Sequence, residues 1–107
     1  MSYVVVTTTT DSREEAASIA KVAVERKLAA CVQIVGPVES VYRWQGKVER
    51  SEEFRCEMKT RAEKFDELQA LIVESHSYEL PEVIAVPIIE TSPAYAKWID
   101  KQLGDGE

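Results

Sequence analysis

From Val48 to Arg61 the chain alternates. Even positions carry Val48, Phe54, Cys56, Met58 and Thr60, while Glu49, Ser51, Glu53, Arg55, Glu57, Lys59 and Arg61 fill the odd ones, all polar. A period of two predicts a β-strand with one buried face and one wet face. A second strand-like run, Ala29 to Arg43, precedes it, and the two meet at Gln45-Gly46. At about 3.3 Å per residue, a strand of roughly 14 residues reaches about 45 Å. A compact domain of this size has a radius of gyration of only about 13 Å. The hairpin tip, with Val41, Tyr42 and Trp44, is therefore expected to project beyond its own core. Exposed aromatics on such a ribbon predict self-association, with Tyr42 and Trp44 as interface anchors.

The remaining pattern supplies the other elements. A β-branched run, Tyr3 to Thr10, reads as a strand, and Ser12-Arg13-Glu14-Glu15 reads as a capping box opening a helix. Ala16, Ile19, Ala20, Ala23 and Val24 repeat at helical spacing and predict one face packed on a sheet. Gly36-Pro37 interrupts the first hairpin strand and suits a bulge, since proline cannot donate to a ladder. A second helix is expected over Ala62 to Ser75, with Phe65, Leu68, Leu71 and Ile72 inward. Val83 to Ile89 reads as a fourth strand, placed at an edge by Pro87. Ser92-Pro93 starts a closing helix whose apolar stripe is Tyr95, Trp98, Ile99 and Leu103. The order βαββαβ plus a terminal helix predicts an α+β, ferredoxin-like sandwich with a long hairpin between its second and third strands. One domain is expected over residues 1–107, with assembly between copies to cover the sheet edges.

Composition narrows the partners. Thirteen basic against 19 acidic residues give a net charge of −6 in a chain of 107 residues, which argues against nucleic acid. No run is long and apolar enough for a membrane span, and the N-terminus lacks the basic region of a signal peptide, so the expected compartment is the cytoplasm. Cys31 and Cys56 lie 25 residues apart without a CxxC pattern and read as buried thiols rather than a disulfide.

Four stretches together resemble the CutA divalent-cation tolerance family: Lys27-Leu28-Ala29-Ala30-Cys31-Val32, Ser40 through Glu49 at the hairpin tip, His76-Ser77-Tyr78-Glu79-Leu80-Pro81-Glu82, and Tyr95-Ala96-Lys97-Trp98-Ile99. The resemblance implies a ferredoxin-like homotrimer and an association with copper and other divalent cations. It departs from the bacterial pattern of proposed copper ligands in three places. Thr8 stands at a cysteine position, Ser75-His76 replaces a histidine pair, and Ser77 replaces a proline. Of that ligand set only His76 is present.

His76 is the single histidine. As a copper or divalent-cation ligand it needs two or three further donors, which a symmetric assembly could supply. Its alternative role is to cap the end of the second helix, where a positive charge meets the dipole. Tyr78, Glu79, Pro81 and Glu82 form a loop that either lines a pocket between subunits or sets an extended lead into the last strand. Lys59, with Tyr78 and Glu79, is a candidate for that inter-subunit pocket. Lys59 and Arg61 could attract an anion, or could sit solvated or paired with Glu57. With no nucleophile elbow, glycine-rich phosphate loop or HExxH, no enzyme is expected, although a Cys–His dyad with His76 would need only proximity. The expected function is divalent-cation tolerance by a small homotrimer that binds metal weakly. The alternative is a trimeric adaptor that takes a protein or small anion at its interfaces.

Overall fold

A computed structural model describes residues 2–104; Met1 and residues 105–107 of the expected domain lie outside the described residues. The order is β1 (Tyr3–Thr10), α1 (Arg13–Glu25), β2 (Cys31–Trp44), β3 (Lys47–Arg61), a 3-10 turn (Ala62–Lys64), α2 (Phe65–Ser75), β4 (Ile84–Ile88) and α3 (Pro93–Gln102). The strands form one antiparallel sheet in the order β2-β3-β1-β4, the ferredoxin-like arrangement. β4 takes the edge, as Pro87 requires. The first part of the expected second helix is the 3-10 turn, and α2 proper begins at Phe65.

Register explains the two faces. Val6 pairs with Met58, and Thr8 with Cys56, so the even residues of β1 and β3 share one face. Met58, Cys56 and Val6 are fully buried there against Ala16, Ile19 and Ala23 of α1 and Leu68 and Ile72 of α2. The alanines let α1 lie close to the sheet. Val24, expected on this inner face, instead is 43% exposed. Ser12 caps α1 by accepting from the Glu15 amide at 3.1 Å. The reciprocal half of the expected box is absent, because the Glu15 carboxylate turns to Thr10 and Ser77.

On the opposite face the polar row is not uniformly wet. Glu53 is 6% and Arg61 2% exposed. Arg61 is covered where α3 crosses the end of the sheet, and it pairs with Asp100 at 3.4 Å and Glu63 at 3.3 Å. The Tyr3 hydroxyl donates to both Asp100 oxygens at 2.9 Å. Ile99 and Leu103 bury on this corner with Ala30. Tyr95 and Trp98, expected on the same stripe, remain about 40% exposed and stack on each other with ring centroids 5.4 Å apart. An apolar stripe read at helical spacing was thus wider than the surface available to cover it.

The hairpin projects as expected. The molecule measures 49 × 25 × 22 Å, with a radius of gyration of 14.5 Å. Gln45 and Gly46 both take positive φ, 50° and 80°, the backbone of a two-residue turn matched to strand twist. The register slips between Val35 and Val38 at Gly36-Pro37, whose peptide bond is cis. A Cβ at Gly36 would lie 2.6 Å from Phe54 Cδ2 and 3.0 Å from the Glu53 carbonyl oxygen. Gly36→Ala must therefore displace β3 beside Glu53, and a loss of about 1–3 kcal/mol is expected in denaturant unfolding. An unchanged midpoint would mean that the Phe54 ring yields without strain.

Candidate functional site

The site lies where the hairpin's open face meets the loop leaving α2. Val38, Ser40, Tyr42 and Trp44 pair in register with Glu53, Ser51, Glu49 and Lys47, so these side chains share the face opposite the helices. The loop 76–83 returns over the same end of the sheet and brings Tyr78 to Glu53, to which the phenol donates at 2.7 Å. Between hairpin and loop is a cleft of about 570 Å³ lined by Tyr42, Trp44, Glu53, Tyr78, Glu79 and Glu82, with Thr9 and Ser40 among the smaller contributors. Tyr78 thus joins Glu79 here, beside the two aromatics expected as interface anchors. Lys59 does not reach this cleft within one chain: it sits in register with Cys31 and Val5, farther along β3, and its ammonium donates to Gln33.

His76 positions the loop. Its side chain is wholly buried. Nε2 lies 2.8 Å from the Thr9 carbonyl oxygen and Nδ1 is 3.1 Å from the Tyr78 amide nitrogen. A carbonyl needs a donor and an amide needs an acceptor, so the ring is the neutral tautomer protonated at Nε2. The Tyr78 ring packs 4.7 Å from the imidazole, centroid to centroid. His76 is the residue that ends α2, yet its ring reaches β1 rather than the helix carbonyls, so it does not act as the expected charged cap.

This arrangement does not fit a metal ligand within one chain. Both ring nitrogens are engaged, and among the described residues no three His, Cys, Asp or Glu side chains converge into a metal-holding group. Nor does a Cys–His dyad form. The Cys56 thiol points at the Ala16 carbonyl, 3.7 Å away, and His76 spends its lone pair on Tyr78.

Charges around the loop are arranged to hold it. Burial disfavours the Glu15 carboxylate, but the Thr10 hydroxyl and the Ser77 amide and hydroxyl outweigh that and keep its carboxyl below the ordinary range. Burial, then the hydrogen bond to Glu53, raises the Tyr78 phenol far above its ordinary value, so it remains a donor. Burial, with Glu15's charge behind it, pushes the Cys56 thiol up to about 11. Cys56 is therefore expected to be inert to a thiol reagent such as DTNB at neutral pH, with Cys31 alone reacting before unfolding. Two thiols titrating at the same rate in the native protein would contradict this burial.

Of the two cations considered for an anion, Arg61 is buried in its pairs with Asp100 and Glu63, while Lys59 makes an exposed hydrogen bond to Gln33. The residue missed in the sequence is Glu53, one of seven odd-position polar residues on its strand and marked out only by a tyrosine 25 positions later.

The sequence model of the family described as "CutA1 divalent ion tolerance protein" matches residues 4–102. The chain is 41% identical over 100 residues to "Divalent-cation tolerance protein CutA" of Thermus thermophilus, covering 94% of this chain and 97% of that one. It is 44% identical over 93 residues to the protein of the same name from Archaeoglobus fulgidus, covering 87% and 90% respectively. The solved structure of the A. fulgidus protein, described as periplasmic, superposes with a TM-score of 0.92 over 94% of this chain and 98% of that chain at 40% identity.

Proposed function

The chain belongs to the CutA1 divalent ion tolerance family, and from that premise we propose that it serves divalent-cation tolerance as a homotrimer that meets copper or a similar ion weakly and through more than one subunit. The observation that carries the assembly is the surface of the single chain. Tyr42 and Trp44 stand 44% and 42% exposed on the projecting hairpin, and Ile84 and Val86 stand 48% and 50% exposed on the β4 edge. Bare apolar side chains on an unpaired edge strand invite another chain. A closed ring satisfies such surfaces without leaving one unpaired. The same exposure supports the adaptor reading in a reduced form, with a ligand held in the cleft and metal incidental.

Weak metal binding follows from the donors. An acidic chain with net charge −6 attracts cations generally, but the buried imidazole is committed to Thr9 and Tyr78. The cytoplasm is proposed as the compartment on the strength of two unpaired cysteines. No helix among the described residues is long and apolar enough to cross a membrane.

Two measurements test this. Light scattering of the tag-free protein should give three times the 12.0 kDa chain mass, and a mass near one chain at micromolar concentration ends the trimer. Copper titration of the parent beside His76→Ala, with the variant's fold verified, should give matching weak isotherms. Loss of binding in His76→Ala would show that the ring turns outward to coordinate.

A further inference from the structure

We propose that the cleft between the hairpin and the loop after α2 is a binding site for an organic cation, an alkylammonium or guanidinium group, seated against Tyr42, Trp44 and Tyr78 and drawn in by Glu53. The cleft combines three aromatic rings with three carboxylates, those of Glu53, Glu79 and Glu82, and no Lys, Arg or His lines it among the described residues. Electron-rich ring faces attract cations, above all those with diffuse charge and little hydration. Glu79 and Glu82 are exposed at the rim, where they raise the local concentration of cations without holding one tightly.

Glu53 is the buried carboxylate of the cleft. It is 6% exposed, and its hydrogen bond comes from a neutral phenol, that of Tyr78 at 2.7 Å. The ion pairs of the described residues lie elsewhere, at Arg55 and Arg61, and none includes Glu53. A carboxylate withdrawn from water without a cation is costly. This one borders an open cleft rather than the packed core, so its counter-charge can arrive from outside. The raised pKa of Tyr78 keeps the phenol a donor and its ring neutral as that charge approaches. A metal ion suits the cleft less well. It demands several oxygens at about 2.0–2.6 Å around one point, and the carboxylates do not converge into such a group.

The cation can come from a free small amine or from a Lys or Arg side chain of a second copy, and the experiment separates these sources. In a Trp98→Phe background, emission reports Trp44 alone. Tetramethylammonium and ethylguanidinium chlorides are titrated against sodium chloride of equal ionic strength. A saturable change given only by the organic cations, at least tenfold weaker in Glu53→Gln and in Tyr42→Leu, supports a free-cation site. Glu53→Gln retains an acceptor for Tyr78, so the loop keeps its anchor. Should added cations do nothing while Glu53→Gln raises the dissociation concentration tenfold or more in light scattering, the occupant is the cationic side chain of another copy. If neither changes, or if sodium reproduces the effect, the proposal is overturned. No divalent ion is present in these titrations, so their outcome is separate from that of the metal reading, and a monomer that binds tetramethylammonium would end the trimer alone.

Discussion

Asp100→Ala is expected to cost about 3–5 kcal/mol, because it removes an anion from a guanidinium that has almost no access to water. Arg61 is 2% exposed, and Glu63, which also pairs with it, is 60% exposed and correspondingly screened. The same substitution removes the two Asp100 oxygens to which the Tyr3 hydroxyl donates and loosens α3 from the sheet at Ile99. In a domain of this size such a loss lowers the melting temperature by more than about 10 °C. Asp100→Asn, which keeps an acceptor, should lose less. Arg61→Met combined with Asp100→Ala should regain part of the loss, since an apolar replacement removes the buried charge. A loss under about 1 kcal/mol for Asp100→Ala would show that Arg61 finds water by moving α3 aside.

Trp44→Ala is expected to act on assembly more than on the folded chain. The ring is 42% exposed beside the Gln45-Gly46 turn, so truncating it empties little of its own core. At the centre of a contact between copies, the same truncation costs about 2 kcal/mol or more. That is roughly a 30-fold change in dissociation constant for each interface. Light scattering across a dilution series should show dissociation at higher concentration than for the parent, with a melting temperature that depends on protein concentration. Far-UV circular dichroism should remain that of a mixed helix and strand protein. A variant that stays assembled with an unchanged melt places the contact elsewhere, with the β4 edge next in line. Trp44 also walls the cleft, and Glu53→Gln separates the two roles because it leaves the ring in place.

Local signals made the architecture legible. Alternation on β3, the Ser12 and Ser92 caps, the break at Gly36-Pro37 and the edge proline each act within a few residues, and each appears where expected. What failed depended on partners distant in sequence. Glu53 and Arg61 follow the polar rhythm of β3, but Tyr78 and Asp100 cover them from 25 and 39 positions away. Tyr95 and Trp98 share a helical stripe with Ile99, yet of that stripe it is Ile99 and Leu103 that are buried at the sheet corner beneath α3. Half of the candidate site was legible for the same reason. Tyr42, Trp44, Tyr78 and Glu79 stand out in the sequence as tip aromatics or loop residues, whereas Glu53 has the pattern of one more solvated charge. His76 stands out as the single histidine, and its Thr9 and Tyr78 contacts depend on a fold that spacing alone does not reveal.

The sheet order sets a timetable for biosynthesis. β1 is made early, but both strands it pairs with, β3 and β4, come after β2 in the chain. At about 5–20 residues per second, roughly 50 residues separate the emergence of Thr10 from that of Arg61, a wait of about 3–10 s. During that interval the run Val4 to Thr10, β-branched throughout, has no strand to join. α1, capped by Ser12, and then the β2–β3 ribbon, closed by its own turn, can form while β1 waits. The ribbon therefore serves as the template onto which the oldest strand is drawn. A nascent chain halted before β3 should be far more prone to aggregation and to proteolysis than one halted just after it.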